Sequence, residues 1–183
     1  MLFLDELKEK VENCRKCGLW MRRQNVVIHR GSEIPAIVFV GEAPGIEEDK
    51  QGKPFVGKAG SLLQAWINEL NLSSDDYAIM NVIKCIPKID GGVRPPTRYE
   101  MEACREWTEA QLFFYSPKII VALGVIASIF LLERDDIRMQ DVENRLYQTR
   151  FGKVFCFPHP AYFLRRNEKA DLRQLKLVLK TYI

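Results

Sequence analysis

Four cysteines fall into two pairs. Cys14 and Cys17 enclose two residues near the N-terminus, and Cys85 and Cys104 follow, with 18 residues between them. Four thiolates are soft ligands, suited to a tetrahedral zinc ion and to an iron–sulfur cluster alike, and spacing alone leaves both open. Cys14 and Cys17 lie in a charged turn beside Arg15 and Lys16, a poor setting for a cysteine that merely fills space. Cys85 and Cys104 read on their own equally well as small buried hydrophobes, and Cys156, inside the run VFCF, reads as core. A second concentration of chemistry is the stretch GEAPGIEEDKQGKPFVGKAG at 41–60. Residues 52–58 match the spacing of a phosphate-binding loop, but Ala59 stands where a hydroxyl must meet magnesium. The motif also fails to follow its strand directly, which excludes a nucleoside triphosphatase. Of the two histidines, His159 sits in a proline-flanked loop, whereas nothing around His29 points to chemistry.

The elements that position these residues alternate. Leu4, Leu7 and Val11 share one face of an N-terminal helix running into the Cys14–Cys17 turn. Apolar runs at 36–40, 77–83, 119–123 and 154–157 read as strands. Residues 62–70, 126–132 and 172–182 repeat at helical spacing. Thr97 followed three residues later by Glu100 forms a capping box that opens a helix through about residue 114. This order predicts an α/β fold, three layers deep (α/β/α), with a central, mainly parallel four-stranded sheet in one domain spanning 1–183. Ligands of such sheets bind beyond the carboxyl ends of the strands. The segments 41–45, 84–85, 124–125 and 159–162 are therefore expected on one edge, with Asn81 near the end of its strand.

A chain of 183 residues can bury a core, and 47% hydrophobic with 28% charged residues excludes disordered and collagen-like classes. No apolar run is long enough to span a membrane, and the acidic start MLFLDELKEK does not read as a signal peptide. A cytoplasmic chain is expected, where five cysteines call for something other than disulfides. The net charge of +3 permits nucleic-acid binding without arguing for it.

GEAPG with the following EED and PFVGKAG, then NVIKC, then HPAYFLR, together with the cysteine layout, resembles the iron–sulfur (family 4) uracil-DNA glycosylases from Cys14 to about Arg166. The resemblance implies a monofunctional, monomeric enzyme that hydrolyses uracil from DNA, with a structural [4Fe–4S] cluster on Cys14, Cys17, Cys85 and Cys104. It implies that Phe55 stacks on the flipped base and that Asn81 reads its Watson–Crick edge. His159 then hydrogen-bonds the departing base. Many relatives in the wider superfamily carry Asp where Ala43 stands, which leaves Glu42 near the sugar and water, and Glu48 near the ring, where it would exclude the thymine methyl. Glu47 reads as a solvated acid. Tyr162, Phe163, Leu164 and Arg165 are expected to reach the DNA, with Phe163 or Leu164 filling the gap left by the flipped base. Arg22, Arg23, Arg30, Lys53, Lys58, Arg94, Arg98 and Arg166 are further candidates for phosphate contact. No lysine is placed for a Schiff base, so lyase activity is not expected. The competing reading is a non-enzymatic iron–sulfur or zinc module that binds DNA. A variant that traps the sugar covalently would need a basic insert near Phe55, for which PFVGKAGSLL leaves no room.

Overall fold

The computed structural model describes residues 2–183. Helix α1 (Leu2–Glu12) leads through the Cys14–Cys17 turn and a 3-10 turn (Gly18–Met21) to a two-residue strand β1 (Arg30–Gly31). Then come β2 (Ile37–Gly41), α2 (Ile46–Gln51), α3 (Lys58–Glu69), β3 (Tyr77–Asn81) and a small hairpin of β4 (Lys88–Ile89) and β5 (Gly92–Val93). Helix α4 (Arg98–Tyr115), β6 (Ile119–Leu123), α5 (Val125–Leu132), the short α6 (Met139–Val142), β7 (Arg145–Thr149) and β8 (Gly152–Phe157) follow. Two helices, α7 (Pro160–Arg166) and α8 (Arg173–Leu179), complete the fold.

The main sheet has the order β1-β3-β2-β6-β8-β7. Its four inner strands are parallel, and both edges are antiparallel. The expected four strands are thus the interior of a six-stranded sheet. The edges escaped notice because β1 is two residues long and β7 (RLYQT) is mostly exposed, so neither contains an apolar run.

Strands β2, β3 and β6 are buried at every position, as strands covered on both faces must be. Their side chains alternate between two cores. Val38, Val40, Ala78, Met80, Ile120 and Ala122 face α1, α4 and α5. Ile37, Phe39, Ile79, Ile119, Val121 and Phe155 face α3 and α8, where Leu63, Trp66, Ile67, Leu175 and Leu179 meet them. The three-layer expectation holds. Thr97 and Glu100 cap α4 reciprocally, the Glu100 N–H donating to Thr97 Oγ1 at 3.2 Å and the Thr97 N–H to Glu100 Oε2 at 2.8 Å.

Candidate functional site

The loops that follow β2, β6 and β8 come together at one cavity of about 580 Å³. That volume is in the range of a small-molecule site. Glu42 and Ala43 line it from the loop after β2, Gly124 and Val125 from the start of α5, and His159, Tyr162 and Arg165 from α7. A wall made by Arg138, Met139, Gln140 and Glu143 was not anticipated. These residues are polar or lie in the connection between α5 and β7, away from any strand end, so no sequence signal marked them.

His159 caps α7. Its Nδ1 accepts the Ala161 N–H at 3.1 Å, and Pro160 occupies the first helical position. Burial, with Arg165 adding to it, pulls the imidazole down to about 4. It is therefore neutral at physiological pH, and because Nδ1 is an acceptor the proton resides on Nε2. Burial raises Glu42 above the usual carboxylate range, the nearby Arg165 guanidinium opposing it.

Phe55 and Asn81 do not line this cavity. They meet at Gly41, where an added Cβ would lie 2.5 Å from both Asn81 Oδ1 and the Phe55 ring, so only glycine fits. The Phe55 ring is 5.5 Å from the His159 ring, and its backbone is held at φ 54°, a strained setting for an aromatic residue. Gly60 makes that possible: a Cβ there would lie 1.9 Å from the Phe55 carbonyl oxygen. Asn81 is 1% exposed and its Oδ1 has no hydrogen-bond partner. A buried acceptor left unmatched costs about 1–3 kcal/mol, which a donor arriving on a ligand would recover.

Two expectations meet a different geometry. The Glu48 carboxylate accepts the N–H groups of Gly45, Val56 and Gly57 at 3.1, 2.9 and 2.8 Å. It clamps the 41–57 loop and is already committed to backbone. Phe163 packs edge-on against Trp66 and stacks with Phe157 in the core, because α7 turns that side inward. Tyr162, Leu164 and Arg165 remain exposed. Glu47 pairs with Lys50 at the surface, while Asp49 is buried and accepts the N–H groups of Gln24 and Asn25.

The basic candidates separate. Arg94 is held by both Glu100 oxygens at 2.6 and 2.7 Å, a bidentate pair that fixes the loop before α4. Arg22 pairs with Asp90, Arg98 with Asp135 and Arg166 with Glu168, all exposed and worth little to stability. Arg30 reaches Gln64, beside Phe55. Lys53 and Lys58 are exposed on the loop. Arg165 has no ion pair among the described residues.

Cys14, Cys17, Cys85 and Cys104 line one small cavity with Arg23 and Trp107. The N-terminal turn is tied to α4 there: the Tyr99 hydroxyl donates to the Lys16 carbonyl at 3.0 Å, and Lys16 pairs with Glu106. Burial pushes the Cys104 thiol up to about 12 and also raises Cys85 and Cys17. As thiolates they need positive charge and donors, and these are present. Arg23 Nη1 donates to Cys85 Sγ at 3.0 Å, and the Lys84 N–H to Cys104 Sγ at 3.4 Å. The Trp107 indole nitrogen is buried with no partner. Among the described residues no three His, Cys, Asp or Glu side chains gather for a single metal ion. Four cysteines backed by the Arg23 guanidinium and the Lys84 N–H make a donor set that fits an iron–sulfur cluster. Cys156 lies in β8, in the core, as its apolar run implied.

Parallel strands thus bring a capping histidine, an asparagine oxygen without a partner and a glutamate raised by burial to one edge of an α/β sheet, and the sequence comparisons give the family. Residues 28–181 match the model of the Uracil DNA glycosylase superfamily, and the chain belongs to it. It is 39% identical to a type-4 uracil-DNA glycosylase of Thermotoga maritima, over 95% of this chain and 89% of that one. A type-4 uracil-DNA glycosylase of Archaeoglobus fulgidus is also 39% identical, over 89% of this chain and 84% of its own. A type-5 uracil-DNA glycosylase of Thermus thermophilus is 33% identical over 56% of this chain and 52% of its own. Within the superfamily, the chain belongs to the type-4 uracil-DNA glycosylases.

Proposed function

We propose that this enzyme frees uracil from DNA by hydrolysis, with Asn81, His159 and Glu42 dividing the work. The observation that carries this is Asn81 Oδ1, buried and without a partner at the end of β3. The N3–H of uracil is the donor it lacks; cytosine has none there, so the same oxygen would stay unmatched and cytosine would be rejected. As the N-glycosidic bond breaks, its electron pair leaves with the base and negative charge grows on the carbonyl oxygen of the base next to the broken bond. The Nε2–H of His159, already neutral and held by its own helix, donates to that oxygen without prior reorganisation. Water adds to the sugar carbon, and Glu42, made more basic by burial, takes its proton. With Ala43 where an Asp would serve, Glu42 is the carboxylate that the loop after β2 brings to the cavity. Glu48 and Gly60 hold the loop that presents Phe55 to the base.

DNA is held by α7, whose Tyr162 and Arg165 line the cavity and whose exposed Leu164 is the side chain that replaces the flipped base. Cys14, Cys17, Cys85 and Cys104 would hold a [4Fe–4S] cluster, which when bound cross-links the N-terminal turn to α4 and the end of β3. Residues 1–183 act as one domain and as a monomer. Among the described residues no helix is long and apolar enough to cross a membrane.

The test is an oligonucleotide carrying one uracil, incubated with iron-loaded protein and treated with alkali. Cleavage at the uracil alone is expected, with Asn81→Ala and His159→Ala strongly impaired. An uncut strand refutes the reading.

A further inference from the structure

Lys84 is 0% exposed, an extreme placement for an ammonium. Its Nζ donates to the carbonyl of Asn81 at 2.7 Å, and its backbone N–H donates to Cys104 Sγ at 3.4 Å. No carboxylate pairs with it among the described residues, and Cys85 follows it directly in the chain. We propose that Lys84, joining the cysteine centre to the carbonyl of Asn81, is a positioning residue that couples the cluster to the uracil-reading amide.

A buried ammonium costs several kcal/mol unless opposite charge stands beside it. Thiolates holding a cluster at Cys85 and Cys104, the residues its backbone adjoins, would supply that charge. Asn81 is the last residue of β3, and the chain bends directly after it. The bend is held by the Val82 N–H on the Gly41 carbonyl at 2.9 Å and by Thr108 Oγ1 on the Val82 carbonyl at 2.6 Å. Lys84 adds the one charged contact, and it falls on the residue whose side chain awaits the base. A shift of the Asn81 peptide would turn Oδ1 away from N3–H, so loss of Lys84 acts on base recognition. The hydrolytic groups Glu42 and His159 sit on other loops.

This inference rests on the reading of Asn81 given above. The experiment compares iron-loaded wild-type, Lys84→Met and Thr108→Val proteins. Free-uracil affinity is measured by calorimetry and cluster potential by voltammetry. Lys84→Met keeps the length of the side chain and removes its charge. It is expected to bind uracil about tenfold more weakly, the scale of one charge-assisted hydrogen bond, and to shift the cluster potential to more negative values. Thr108→Val removes a neighbouring neutral hydrogen bond and is expected to lower stability while leaving both readouts unchanged. Wild-type affinity and potential in Lys84→Met overturn the proposal, as does a Thr108→Val protein that reproduces both shifts. Wild-type protein that binds no uracil overturns the reading of Asn81 itself, a distinct result. If Lys84→Met does not retain iron, the wild-type potential is measured with and without saturating uracil. A shift supports the coupling, and an unchanged potential overturns it.

Discussion

Glu48 separates two explanations of the acidic loop. If its carboxylate met the uracil ring, removing its charge would relax discrimination against thymine and leave the fold alone. The structure instead has it accept three backbone N–H groups, from Gly45, Val56 and Gly57. In Glu48→Gln the amide oxygen retains the Val56 and Gly57 donors, while the new NH₂ group faces the Gly45 N–H. One charge-assisted hydrogen bond is lost, the other two weaken, and two donors oppose each other. A hydrogen bond to a charged group contributes about 1.5–3 kcal/mol, and the site is partly open to water. A loss of about 2 kcal/mol is therefore expected, or roughly 4–8 °C in Tm for a chain of this size. Because Val56 and Gly57 follow Phe55 directly, the looser loop should also slow uracil excision.

The assay is urea unfolding with single-turnover excision on matched oligonucleotides containing uracil or thymine. Glu48→Gln should unfold at lower urea, excise uracil more slowly and leave thymine untouched. Full stability together with new thymine excision would refute the clamp and restore direct contact with the base.

Glu42→Gln should lower single-turnover excision by about 10²–10⁴-fold, the usual contribution of a general base. The wild-type acid limb should lie at the raised Glu42 pKa: activity is full above it, where the carboxylate is ionised, and falls as pH drops through it. His159 stays neutral down to about 4, so Glu42→Gln should flatten the limb above that pH in a pH–rate profile. Gly60→Ala sets a Cβ 1.9 Å from the Phe55 carbonyl oxygen; a loss of about 1–3 kcal/mol is expected in denaturant melts, with excision falling further than stability because Phe55 must move. Arg165→Ala should weaken DNA binding across sequences and reduce the salt slope of log K by about 1 in titrations at several ionic strengths.

The parts of this molecule that were legible in its sequence share a physical cause. The four inner strands are covered on both sides, so each is an unbroken apolar run ended by a glycine, a proline or a polar turn. Their order alone places Glu42, Ala43 and His159 on one edge. The edge strands could not be read the same way. Gly31 reaches β3 only by adopting φ 107°, and β7 alternates in polarity like an exposed loop. Lys84 was equally hidden, since a lysine beside a cysteine reads as surface charge until its burial is seen.

For Glu48 the backbone clamp did leave a signal in the sequence. Gly45 and Glu48 stand at the same three-residue spacing as Thr97 and Glu100, and in both pairs the carboxylate returns to the N–H of the capping residue, at 3.1 and 2.8 Å. The second pair was recognised because threonine is a familiar cap. The first is hard to read because glycine carries no side chain to complete the box, and the resemblance instead sets Glu48 near the uracil ring. A glutamate three residues into a helix satisfies donors that the helix itself leaves free. In a loop as glycine-rich as 41–60 such donors are plentiful, so a carboxylate there is held by backbone before it is available to a ligand. Glu42, which precedes α2 and has no such donors to satisfy, is the acid left for chemistry.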